Sequence, residues 1–477
     1  MRKKRLFYIA GGIAALIVGG YFFSNWLVRK KVEERLHALP SSWGVRYGNV
    51  RPDVLGGALY VDSVSGKMPD GGEVRIGRLS FKGLDYLALA RKRQRLDIGR
   101  LTLAGVRIEK KGQSLEGEIE LDSLFVDDMD KPMDSSNVHA RAVKLALSHA
   151  ACTIPGAYTK IRLEGLELDS RQHFMRVDTV LLAPTVGKIE LGGIKGHQMD
   201  VAEASSSGVT IEGLDVMALL QNRLVAEKIS VKHSHIYVFR DRRLPLVTDV
   251  KPLPVDYLKS LPLSMRVKTV QLEGGSFTYE EFPRKGNKTG VLKIERLSVT
   301  VHHLVNHPAA GDPGYITVVS SGSLMGSGTV KAVMKMPLRK GDPYEVEGAF
   351  HELDVTSLNP SAENLGNIHL ESGMLNSLQF AFDMDEKKAA GKVVGEYHDL
   401  VVDKLRGGNE KKVDKVKSFF LKKLIIPKNK DKSLPESKRT GKVDYKRDPQ
   451  RYFSYYMLHA LLVGVKSSFS LGFLLPG

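Results

Sequence analysis

The chain has 477 residues, 42% of them hydrophobic, which is enough for two or three ordinary domains or one long repetitive one and excludes disorder throughout. Its net charge of +17 is concentrated at two places: residues 1–31 hold seven basic residues and no acid, and Lys404–Arg451 holds 17 basic against 6 acidic residues, leaving 32–403 close to neutral. A neutral body with no basic face or aromatic platform argues against nucleic acid as partner, and the single cysteine, Cys152, excludes an intramolecular disulfide or a multi-cysteine metal site.

The first element is LFYIAGGIAALIVGGYFFSNWLV, Leu6 to Val28, a run of 23 residues without a charge. That length suits a helix crossing a bilayer with some tilt, and Tyr8 and Trp26 sit where aromatic belts lie. The following SNWLVRKK lacks the small-x-small site of a cleaved signal, so the segment reads as an uncleaved anchor. Arg2–Arg5 slightly outweigh Arg29–Lys31, which predicts a cytoplasmic basic tip at 1–5, a single pass at 6–28, a juxtamembrane helix at 29–42 and the bulk of the chain across the membrane.

From Trp43 to about Leu405 short alternating runs, such as VRIGRLSF, YITVVSSGSL and LQFAFDM, are broken by Gly, Asp and Asn. They predict a mainly β body, 43–405, built on a long antiparallel sheet with a few short helices. An internal repeat runs through it: FKGLDYLALARKRQRLDIGRLTLAGVRIEKK (81–111) aligns with IEGLDVMALLQNRLVAEKISVKHSHIYVFRD (211–241), matching Gly83 with Gly213, Leu84 with Leu214 and Asp85 with Asp215. Within each copy the apolar alternation slips phase at odd intervals. Leu96/Ile98, Leu101/Leu103 and Val106/Ile108 have counterparts in Leu224/Ala226, Ile229/Val231 and Ile236/Val238, and in Met265/Val267, Val270/Leu272 and Phe277/Tyr279. A slip of one residue turns a strand over, so Leu101 and Leu103 are expected on the face opposite Leu96, Ile98, Val106 and Ile108. Gly99, Gly105, Gly274 and Gly275 stand at or beside the slips and are the predicted bulge or bend points.

This pattern, together with the anchor, VRPDVLGGALYVDSVSG (50–66) and the later SSGSLMGSGTVKAVMKMPL and GKVVGEYHDLVVDKL, resembles the AsmA-like family of bacterial envelope proteins and, more distantly, TamB-type lipid conduits. The resemblance covers most of 1–405 and implies a bacterial inner-membrane anchor, a periplasmic twisted or taco-like β-groove with an apolar inside, and a role in outer-membrane biogenesis or phospholipid movement. Physically, an uncovered apolar face offers acyl chains a dry track, each buried methylene contributing about 0.8 kcal/mol. Leu101, Leu103, Ile229, Val231, Val270 and Leu272 are the candidate lining; the same residues could instead pack a closed sandwich core. The implied partners are phospholipid or another lipid, the inner membrane and envelope proteins; the last would make the chain a tethered scaffold.

Residues 406–450 read as a basic amphipathic helix, with Val413, Val416, Phe419, Phe420 and Leu424 at helical spacing, followed by a Lys/Pro-rich linker. Residues 451–477 read as an apolar or amphipathic helix too short for a confident span, either capping the groove or lying in the interface. No hydrolase, nucleotide or metalloprotease motif is present in the sequence, so no enzyme activity, cofactor or catalytic residue is expected. The only ligand-like clusters are His302, His303 and His307, and His233 with His235, which would share one strand face but have no specified carboxylate partner.

Overall fold

The computed structural model describes residues 2–37, 41, 44–68, 71–84, 86, 95–127, 138–154, 156–405, 413 and 438–468; within these, the side chains of 2–17, 35, 95–96, 125–127 and 138–139 are not described. The described residues form nineteen strands and six α-helices, so the body is mainly β. Two compact units divide the chain: residues 1–154 with 161–178, and residues 155–160 with 179–477.

In the first unit a helix, α1 (Arg2–His37), precedes an antiparallel meander of β1 (Val50–Asp53), β2 (Ala58–Lys67), β3 (Glu73–Lys82), β4 (Arg95–Lys110), β5 (Gln113–Asp127) and β6 (Val138–Ile154). Then follow β7 (Thr159–Asp169) and β8 (Phe174–Pro184). Among the described residues no helix is long and apolar enough to cross a membrane; much of the apolar run Leu6–Val28 falls on side chains that are not described. The helix runs unbroken to His37, through the boundary expected between anchor and juxtamembrane segment.

Past β8, whose end belongs to the second unit, come α2 (Lys188–Lys195) and β9 (Asp200–Glu212). Next come α3 (Val216–Leu220), β10 (Arg223–Lys232), β11 (His235–Asp241) and α4 (Pro254–Lys259). The repeated Gly-Leu-Asp has a local reason here: Gly213 takes φ +65°, Leu214 is fully buried, and the Asp215 carboxylate accepts the Ala218 N–H at 2.9 Å as the cap of α3. In the first copy Gly83 and Leu84 behave alike, while Asp85 and the expected helix after it lie outside the described residues.

β10 and β11 are one strand interrupted at His233–Ser234: both pair antiparallel with β9 and parallel with β12 (Ser264–Phe282). The expected all-antiparallel sheet therefore has one parallel seam. The cause is the crossover through α4, because a parallel pair cannot be closed by a hairpin. From β12 the chain meanders antiparallel through β13 (Gly290–Val305), β14 (Tyr315–Leu324), β15 (Gly328–Pro337) and β16 (Tyr344–Asp354). After α5 (Asn359–Gly366) it continues through β17 (Ile368–Met384), β18 (Lys388–Lys404) and β19 (Lys438–Lys446).

β19 corrects the expected linker at 406–450. Lys-Arg-Thr-Gly-Lys-Val-Asp-Tyr-Lys alternates, with Val443 fully buried and its charged neighbours outward, so it pairs with β18. The amphipathic helix expected before it falls outside the described residues, Val413 excepted. The last described element, α6 (Phe453–Ser468), lies on β18 and β19. Its inward positions, Tyr456, Ala460, Gly464 and Ser468, recur every four residues. Gly441 and Gly464 face each other so closely that a Cβ on Gly441 would stand in the path of the Gly464 carbonyl; only glycine admits this approach of helix to sheet.

The phase slips have a common origin. In the first unit, Gly57, Gly83, Gly99 and Ser123 stand level across β2–β5, and Gly57, Gly83 and Ser123 have φ of +62°, +71° and +53°. Six residues along each strand, about 20 Å of strand, lies a second line: Ser63, Gly77, Gly105 and Gly117, with Ser63 at +53° and Gly105 at +63°. The second unit carries the same two lines. One holds Gly213 (+65°), Glu227, Lys268 and His303 (+59°); the other holds His233 (+47°), Gly274 (+63°) and Arg296 (+49°).

Gly105 sits at a register shift between β4 and β5, and Gly274 and Gly275 at shifts between β12 and β13. At Gly99 the pairing passes without a shift; there the left-handed residues are its cross-strand neighbours Gly83 and Ser123, and a Cβ on Gly83 would stand 3.0 Å from the Gly99 Cα. A left-handed residue inside a strand bends it and delays the alternation by one position. Residues three apart across such a line therefore return to the same face. Ile98 and Leu101 pack in one cluster, as do Leu121 with Leu124 and Phe81 with Leu84. This corrects the expectation that Leu101 faces away from Ile98: the slip is a bend, not a reversal.

Candidate functional site

Between the two lines of left-handed residues each strand contributes two inward positions, and in both units these form two continuous cross-strand rows. In the first unit the rows are Leu59–Phe81–Leu101–Leu121–Val143 and Val61–Leu79–Leu103–Ile119–Leu145. All ten are aliphatic or aromatic, and nine are half-buried, Val61 alone being buried. The alternate positions point the other way and are mostly polar or charged, among them Asp62, Arg78, Arg100, Glu120, Asp122 and Lys144. Arg78 and Arg51 hold Asp62 at 3.0 and 2.9 Å, and Arg100 holds Asp122 at 2.7 Å. The Arg78 guanidinium, helped by Arg51, lowers the Asp62 carboxyl below its ordinary range, and Asp122 raises the Arg100 pKa. One face is therefore dry-seeking and the other solvated. At the rim, burial pushes the Tyr86 hydroxyl up to about 12 while it donates to the Ala58 carbonyl at 2.6 Å.

In the second unit the rows begin as Ile211–Ile229–Val270–Val301 and Val209–Val231–Leu272–Val299, all eight half-buried. They continue without a break, the first through Val318, Met334 and Val346 to Phe382, the second through Ser320, Ala332 and Gly348 to Phe380 and Val393. Along this course they enter the core that α4 and α6 help close and become buried, Val346 at 4%, Phe382 at 4% and Val393 at 0% exposure.

The six residues singled out from the sequence thus occupy equivalent places: Leu101, Ile229 and Val270 in the first position after a bend, Leu103, Val231 and Leu272 in the next. Ile229 is level with Val270 and Val231 with Leu272. Sequence reasoning missed the partners on the antiparallel neighbours, Leu121, Ile119, Val301 and Val299, whose spacing reads in reverse along the chain.

A cavity of about 570 Å³ lies along the second left-handed line of the first unit, lined by Ser63, Arg75, Gly77, Gly105, Arg107 and Glu116 among others. Close by, Ser114 Oγ and His149 Nε2 are 3.1 Å apart, and His149 Nδ1 and Glu164 Oε1 3.0 Å apart, an order of groups also found in hydrolytic relays. Ser114 is paired on both sides, with Glu109 on β4 and Ala151 on β6, so the neighbouring amides serve the sheet rather than a developing oxyanion. Its three members come from three strands and no sequence spacing could have found them.

Among the described residues no group of three or more His, Cys, Asp or Glu could hold a metal ion. His233 and His235 do not share one regular strand: His233 is the left-handed residue at the interruption, and His235 bonds Ser276 at 2.8 Å. His302 and His303 are adjacent, with rings 6.5 Å apart, and His303 is, with Arg296, one of the left-handed residues of β13. No protein-family model matches the chain, and none of the curated proteins matches it.

Proposed function

We propose that the paired apolar rows are an acyl-chain track and that the chain is a lipid-handling protein of the AsmA-like kind, tethered to the bacterial inner membrane by α1 with its β units in the periplasm and acting in outer-membrane biogenesis. The observation that carries this reading is the incomplete burial of rows made almost wholly of Leu, Ile, Val and Phe. A closed sandwich would bury such residues, and monomeric proteins rarely leave contiguous apolar surface without a ligand or partner for it. The bends support a track as well, since they keep residues three apart on one face and so widen the apolar strip beyond what a straight strand presents.

The first test is mass spectrometry of the full chain purified in mild detergent. Bound phospholipid is expected, with its amount cut by Leu101→Asp and Val270→Asp. A lipid-free protein, or lipid retained in both variants, counts against the track and favours the tethered-scaffold reading, in which envelope proteins are the partners.

A further inference from the structure

The first unit carries a surface that the track alone does not explain. Leu55, at the tip of the β1–β2 turn, is 76% exposed, the most exposed large apolar side chain among the described residues. The turn is tied to α1: the Val54 N–H donates to Asn25 Oδ1 at 2.9 Å, and Tyr21 Oη donates to Asp53 Oδ1 at 3.4 Å. Tyr21 and Asn25 are one helical turn apart and so point the same way, while Phe22, Phe23 and Trp26 stay more than half exposed. Immediately beyond lie Arg29, Lys30 and Lys31, with Lys30 over the Trp26 ring at 5.7 Å.

Apolar side chains, an aromatic, then a basic cluster is the sequence of layers met on leaving a bilayer through anionic headgroups. Asn25 precedes Lys30 by five residues, about 7 Å of helix, so the turn bonded to Asn25 is level with the interface. Rows begin at Leu59 and Val61, only a few residues past the same turn.

We propose that the β1–β2 turn is a second bilayer contact: Leu55 enters the interface of an anionic phospholipid surface beside α1, and the Asn25 and Tyr21 bonds hold the first strands of the track at that surface. This rests on the lipid-handling, α1-anchored reading. Charge complementarity with Arg29, Lys30 and Lys31 favours a bilayer over a protein as the occupant.

The test uses the full chain, in a Cys152→Ser background, reconstituted in vesicles containing phosphatidylglycerol with brominated acyl chains. A nitrobenzoxadiazole label is placed at Leu55→Cys in one variant and at Phe23→Cys in another. Blue-shifted emission quenched by bromine at both positions is expected, and Asn25→Ala is expected to lower the quenching at 55 while leaving that at 23. A water-like, unquenched label at 55 beside a quenched label at 23 overturns the proposal and leaves the anchor standing. Unquenched labels at both positions overturn the anchor too. Quenching at 55 that is unchanged by Asn25→Ala removes the tie to α1, and emission at 55 that shifts only when another protein is added assigns the turn to a protein partner instead.

Discussion

The two ends of the second unit's apolar rows differ in cover, not in chemistry. At the β9–β13 end Ile229, Val231, Val270 and Leu272 are half-buried; at the β17–β19 end Phe380, Val393 and Val443, on the same face by register, are almost fully buried in the core that α6 helps close. The covered end has what a folded core needs: Tyr456 at 1% and Ala460 at 0% exposure above, and Leu253 and Val255 brought in by the crossover, with the Val255 N–H donating to Tyr344 Oη at 3.1 Å. Burial there pushes the Tyr344 hydroxyl up to about 12. The open end has equal apolar content and no element of the described structure laid over it in this way. Exposure of the rows is thus a matter of architecture, which is why the open end reads as a binding surface and the covered end as a core.

Substitutions should separate the ends sharply. Tyr456→Ala removes the largest side chain between helix and sheet and is expected to cost about 3–5 kcal/mol, read as a lowered urea midpoint of the detergent-solubilised chain. Gly441→Val, which drives a side chain into the Gly464 carbonyl, is expected to cost about 1–3 kcal/mol. At the open end Leu272→Ala is expected to cost less, about 1–2 kcal/mol, because Leu272 keeps part of its surface in water, yet to weaken lipid retention. Equal losses of stability from Leu272→Ala and Tyr456→Ala would erase the distinction.

The smallest expected effect is one of pH. Arg266 grips Asp312 at 2.5 and 2.9 Å, and with the Ala309 N–H it lowers the Asp312 carboxyl to about 2. Because the folded value lies below the unfolded one of about 3.9, the contribution is complete above about pH 4 and is lost as pH falls through the folded value. Asp312→Asn is therefore expected to lower stability slightly near neutrality and to flatten the acid limb of a stability–pH profile, so that the two profiles converge in strong acid.

Much of this architecture is legible in the chain. Alternation gives the strands, and the odd intervals at 98–101 and 267–270 locate the bends. Gly105 and Gly274 are visible because glycine marks positive φ. The direction of the effect is not visible: a slip reads as a reversed face on a straight strand, whereas a left-handed residue restores the face. Nor are the other bend residues, since Ser63, Ser123, His233 and His303 carry no such mark and adopt positive φ because the neighbouring strands bend at the same level. The parallel seam depends on where a crossover lands, and β19 is separated from β18 by a lysine-rich stretch that hides its alternation.

The central claim is that acyl chains lie on the open rows. Photo-crosslinking the full chain with a phospholipid that carries a diazirine at the middle of one acyl chain, followed by peptide mapping, tests it most directly. Adducts at Leu101–Leu103, Ile229–Val231 and Val270–Leu272, with none at Phe380–Phe382 or Val393, are the predicted result. Adducts confined to α1, or spread over the charged face that carries Arg78 and Arg100, would contradict it.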